Sequence, residues 1–100
     1  NQEWNIEDVT VVPNPYRGTS VLEERYTEKI MFQNLPPACK ISIFTLTGDL
    51  VKELYHDDGT MQQAWNIISR NNQAVKTGMY IYVVEDSEGN KKVDKFVILR

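Results

Sequence analysis

Residues 40–55 read KISIFTLTGDLVKELY, and this stretch decides the fold. Ile41 and Ile43 alternate with Lys40 and Ser42, and β-branched residues favour extended backbone. Thr47-Gly48-Asp49 supplies the turn chemistry that lets a second apolar strand fold back on the first. The pattern predicts a β-hairpin at the centre of a sheet. The other apolar runs are short, of similar length and bounded by Pro, Gly, Asn or Asp, so they read as strands gathered around this pair.

Upstream, residues 1–8 are polar apart from Trp4 and Ile6 and read as a lead-in from a preceding domain, with Trp4 placed to cap an open end of the fold. Val9-Thr10-Val11-Val12 is a short strand stopped by Pro13-Asn14-Pro15-Tyr16, where two prolines remove backbone donors, which suits a sheet edge. Residues 17–27 form a polar connection. In the next strand Ile30 and Phe32 share one face, and Asn34-Leu35-Pro36-Pro37 turns the chain into Cys39. Downstream, His56-Asp57-Asp58-Gly59-Thr60 is a second turn, Trp65 sits in a short strand as a core plug, and Val75 anchors a polar crossing loop. Residues 78–84 and 92–99 are the longest strands, joined by Ser87-Glu88-Gly89-Asn90. About seven strands with turn signals at intervals of roughly ten residues predict an all-β fold, an immunoglobulin-like antiparallel β-sandwich over residues 9–100 with no helix of ordinary length.

Composition narrows the partners. Hydrophobic residues at 41% and charged residues at 25% are globular values and exclude a disordered chain. No apolar run approaches the roughly 20 residues that span a bilayer as a helix. A net charge of -3 with no dense basic cluster gives phosphate nothing to bind, so no nucleic-acid partner is expected; Lys91, Lys92, Lys95 and Arg100 read as lysine-rich protection of a last strand. One cysteine, Cys39, excludes an internal disulfide. Asn1-Gln2-Glu3-Trp4 has neither the basic nor the apolar region of an export signal, so the sequence reads as a piece of a longer chain whose signal lies elsewhere or was removed.

Catalytic constellations fail on chemistry. A Cys39/His56 nucleophile pair flanks opposite ends of the central hairpin and has no third, orienting residue. Asp57-Asp58-Gly59 lacks the further oxygen ligands of a calcium loop and reads as a turn. Glu23 and Glu24 are adjacent, point apart and imply no pocket for glycoside hydrolysis. One histidine and one cysteine are too few for the usual transition-metal sites. The expectation is a non-enzyme with no cofactor and no metal. Trp4, Tyr16, Trp65, Tyr80 and Tyr82 leave a sugar-stacking platform open as a second reading.

Four features in one order resemble a known family: Val12-Pro13-Asn14-Pro15-Tyr16, Ile41-x-Ile43-Phe44-x-Leu46-x-Gly48-x-x-Val51, Trp65-Asn66, and Val75-x-Thr77-Gly78-x-Tyr80-x-Tyr82. Their spacing is similar to the C-terminal sorting domain, type A, of the type IX secretion system, and to its relative, the immunoglobulin-like domain of flagellar hook-capping proteins. The ending Lys95-Phe96-Val97-Ile98-Leu99-Arg100 resembles the basic-apolar-basic close of the sorting domains, and Ile67 after Trp65-Asn66 departs from the Trp-Asp-Gly of the hook relatives. The resemblance implies a non-catalytic address on a larger Bacteroidetes-type protein. Such a protein crosses the periplasm to the cell surface or medium, with the secretion machinery and upstream domains as partners. Pro13, Asn14, Pro15, Gly48, Trp65, Gly78 and Tyr80 are then structural motif positions. The alternative is an accessory carbohydrate-binding sandwich of a secreted enzyme.

The terminal hairpin is apolar on both faces. A two- or four-residue turn centred on Glu88-Gly89 pairs Val84 with Val93, Tyr82 with Lys95, Tyr80 with Val97 and Gly78 with Leu99. With the motif tyrosines inside, Tyr80, Tyr82, Val84, Val97 and Leu99 face the core and the Lys95 stem leaves it at the rim. Met79, Ile81, Phe96 and Ile98, with Lys95 and Arg100, then form the expected interaction surface.

Overall fold

Strand β4 (Cys39–Thr45) returns as β5 (Leu50–His56) through a loop closed by Thr45 N–H to Asp49 O at 2.9 Å and Gly48 N–H to Thr45 O at 3.0 Å. Gly48 takes φ +96°, a left-handed conformation that glycine adopts without steric cost. The same construction joins β7 (Gly78–Asp86) to β8 (Lys91–Leu99): Asp86 N–H donates to Asn90 O at 3.0 Å, and Gly89 sits at φ +88°. Both loops therefore hold three residues with a left-handed glycine third, the form that follows a turn with a bulge.

The computed structural model describes residues 6–12, 16–17 and 29–99. Besides the two hairpins it contains a 3-10 turn Ile6–Asp8 and strands β1 (Thr10–Val12), β2 (Tyr16–Arg17), β3 (Ile30–Gln33) and β6 (Gln62–Trp65). One sheet has the order β1-β3-β6 and the other β2-β8-β7-β4-β5. All pairings are antiparallel except the two-residue β2, which runs parallel to β8 at Tyr16↔Ile98 and was not anticipated. The seven expected strands are present, and the two facing sheets make the immunoglobulin-like sandwich.

Alternation explains the core. Val11, Ile30, Phe32 and Trp65 come from the smaller sheet and Ile41, Ile43, Tyr80, Tyr82, Val84, Phe96 and Ile98 from the larger, all buried. The expected central hairpin is only half central. β4 is interior, but β5 is an edge strand, because β7 rather than a neighbour in sequence takes the other side of β4. The crossing loop protects part of that edge: Arg70 N–H donates to Val51 O at 2.8 Å, and Val75 is buried beneath it as expected.

The expected faces of β8 are reversed. Tyr80 pairs with Phe96 and Gly78 with Ile98, one residue away from the two- or four-residue turn pairing. An odd loop shifts the register by one, and a one-residue shift moves every side chain of the strand to the other face. Phe96 and Ile98 are thus core residues, at 1% and 0% exposure. Val97 and Leu99 are half-buried on the outer face, and Lys95 stands there fully rather than rising from the core rim. Pro13, Asn14, Pro15, Trp4, Glu23, Glu24 and Arg100 lie outside the described residues.

Candidate functional site

Of the motif residues, Trp65, Gly78 and Tyr80 serve packing. Trp65 Nε1 donates to Ile68 O at 3.0 Å, which satisfies the indole in the core. Ile67 is buried at φ +62°, so a β-branched residue holds the left-handed conformation that the hook relatives' glycine suits. Tyr80 folds back over Gly78, where an added Cβ would lie 3.5 Å from the ring, and its hydroxyl donates to Lys76 O at 2.7 Å. That hydroxyl-to-upstream-backbone bond is the arrangement of a tyrosine corner. Phe96 lies 6.0 Å from Tyr80 and Tyr82 and 6.4 Å from Phe32 and Trp65, ring centre to ring centre. Trp65, Tyr80 and Tyr82 are buried and offer no ring face to a sugar; the Trp4 and Tyr16 side chains lie outside the described residues.

Cys39 and His56 are direct partners across β4 and β5, not at opposite ends, because an antiparallel hairpin brings its two outer termini together. They border an open cleft of about 320 Å³ with Tyr55 and Asp86. Its chemistry is inert. Burial, with Asp86 second, pushes the Cys39 thiol up to about 11, so it carries a proton at neutral pH and is a poor nucleophile. His56 is buried and committed on both sides: Nδ1 lies 2.9 Å from Gln63 Oε1 on the opposite sheet, and Nε2 donates to Thr60 O at 2.8 Å. Asp58 is a turn residue, its carboxyl held below the usual range by Thr60, whose hydroxyl donates at 2.6 Å and whose N–H donates at 3.0 Å.

Among the described residues, the outer face of the larger sheet carries exposed apolar side chains in a regular array. Cross-strand registers place Met79 beside Val97, Ile81 between Phe44 and Lys95, Val83 between Ser42 and Val93, and Glu85 between Lys40 and Lys91. Leu50, Glu53 and Tyr55 extend these rows onto β5. Val93 is 60% exposed, Tyr55 71% and Met79 43%, whereas Ser42, small among longer neighbours, is buried. Lys40 and Glu53 approach to 3.9 Å across the lower rows. The face is an apolar band of Met79, Ile81, Val83, Val93 and Val97 edged by charges of both signs. Sequence reasoning placed Met79, Ile81 and Lys95 on it but missed Val93 and Val97; the glycine at the third loop position, shared by Leu46-Thr47-Gly48 and Ser87-Glu88-Gly89, was the signal that fixes the register.

The class the fold defines is an all-β sandwich with a closed aromatic core and exposed apolar side chains on the outer face of its larger sheet. The chain matches, over residues 10–99, the family described as secretion system C-terminal sorting domain, and it belongs to that family. A region of PorZ, an essential bacterial surface component of the type IX secretion system of Porphyromonas gingivalis, superposes with a TM-score of 0.73 at 26% identity, over 93% of this chain and 12% of that one. Dimeric latent PorU from the same organism contains a similar fold, with a TM-score of 0.61 at 22% identity, over 91% of this chain and 9% of that one. The chain therefore spans about an eighth or less of those proteins. No curated protein is similar enough to count as a relative. The domain is a non-catalytic sorting and interaction module.

Proposed function

We propose that this sandwich, as a type A domain, routes a larger polypeptide through the periplasm and across the outer membrane by type IX secretion, and that a component of that machinery docks on the outer face of the five-stranded sheet. The family match over 90 of 100 residues, counting 10 through 99, carries the sorting role. Exposed Met79 and Val93, flanked in register by half-buried Val97, Ile81 and Val83, support the docking face, since apolar side chains grouped on a surface mark contact sites. Docking there hides Val93 and Met79 from water, while Lys91 and Lys95 pair with carboxylates at the partner's rim. The test is export of a reporter carrying this domain in a bacterium that possesses the pathway, with the outer-face variant described in the Discussion as the discriminating arm.

A further inference from the structure

Residues 6–9 precede the family match, yet three consecutive carbonyls in them each accept a donor from a different part of the sandwich. Lys92 Nζ of β8 donates to Glu7 O at 2.9 Å, and the same ammonium lies 3.8 Å from the Glu7 carboxylate. Asn34, at the end of β3, donates through Nδ2 to Asp8 O at 3.1 Å. Tyr82 of β7 donates its hydroxyl to Val9 O at 3.4 Å. Asn34 holds φ +63°, a conformation asparagine tolerates better than most residues. Val9 is 1% exposed in the core, and Ile6 packs against the same cluster.

The arrangement has a reason in the register. Lys92 and Asp94 pair with Val84 and Tyr82, so they lie on the core-side face of β8. The Lys92 side chain is only 13% exposed, and a cation so placed needs partners. Burial first, then Asp94 and Glu7, pushes the Tyr82 hydroxyl up to about 12, so it stays a donor throughout the physiological range.

We propose that residues 6–9 are a strap that closes this end of the sandwich and fixes the point and direction at which preceding polypeptide enters it. Residues 6–9 are then held in one position on the sandwich rather than swinging as a hinge. Carbonyl recognition at Asp8 makes the strap tolerant of side-chain changes there, while Glu7 also meets Lys92 through its carboxylate and Val9 is the position that must stay apolar. The strap does not depend on the secretion reading, and its test involves no export.

Amide hydrogen exchange followed by NMR on the full chain reads it directly. Val9 N–H donates to Ile6 O at 3.2 Å, so it belongs to the strap itself. The expected result is exchange roughly 100-fold or more slower than in an unstructured chain, and about tenfold faster exchange at Val9 in Lys92→Met, which keeps the stem and deletes the ammonium. Amides of β4 and β7 should keep their protection. If Lys92→Met unfolds the whole domain, Asn34→Ala gives the same reading through the Asp8 carbonyl. An unprotected Val9 amide in the unaltered chain overturns the proposal, as does one that neither variant accelerates.

Discussion

Phe96 touches four other rings and is 1% exposed, whereas its neighbour Val97 lies half-buried on the opposite face. Truncating Phe96 to Ala should cost about 3–5 kcal/mol, with Trp65→Ala in the same range, because the rings around the lost one relax only partly. Val97→Ala should cost less, about 1 kcal/mol, since its two methyls stay partly in contact with water in the folded domain. Denaturant midpoints of the three variants check the ordering. Trp65 was legible as a plug because it stands alone among polar residues. Phe96 was not, because Phe96-Val97-Ile98-Leu99 is apolar in both phases and periodicity cannot choose between them. Cys39 offers a second test at this scale. Its thiol is raised from 9.0 to about 11, so the folded state favours the protonated form; the stability this adds is present below pH 9 and is lost as pH rises through about 11. Alkylation of Cys39 in the folded domain should stay slow at pH 8.5 and accelerate toward pH 11, and a rate at pH 8.5 equal to that of an unfolded control contradicts the burial.

Between elements, loop length decides which side chains a strand buries. Three residues in each hairpin loop, with glycine left-handed, set Tyr80 against Phe96 and hold Phe44 opposite Leu50 after the bulge next to Ile43. Deleting Glu88 leaves a two-residue loop and forces a choice. Either the strands keep their register and the turn is strained, or β8 slips and drives Val97 and Leu99 inward with Phe96 and Ile98 in water. Both routes are costly, and the expected outcome is loss of cooperative thermal unfolding by circular dichroism. A deletion variant melting within about 5 °C of the parent, roughly 1 kcal/mol for a domain of this size, contradicts the register argument. Strand positions were legible from Gly, Pro and Asp punctuation. Their neighbours were not: that β7 inserts beside β4 and leaves β5 at an edge is a matter of three-dimensional closure, which no local pattern encodes.

Taken as a whole molecule, the sandwich turns its chemistry inward and its apolar surplus outward. Among the described residues, the side chains that suggested catalysis are committed: His56 links the two sheets through Gln63, Cys39 is a protonated thiol, and Asp58 closes a turn. The family was legible because motif residues such as Gly78, Tyr80 and Trp65 are packing requirements, and packing requirements leave fixed spacings. The apolar outer face was legible only as a surplus of apolar residues, with Phe96 and Ile98 assigned to it although both lie in the core. The measurement that tests the central claim is export of a reporter carrying this domain in a strain with an active type IX pathway, comparing the parent with Met79→Lys/Val93→Lys. Both positions are exposed, so the variant should melt close to the parent and still fold. The parent reporter should reach the surface or medium while the folded variant accumulates in the periplasm; export of the variant at the parental level would rule out docking on the outer face.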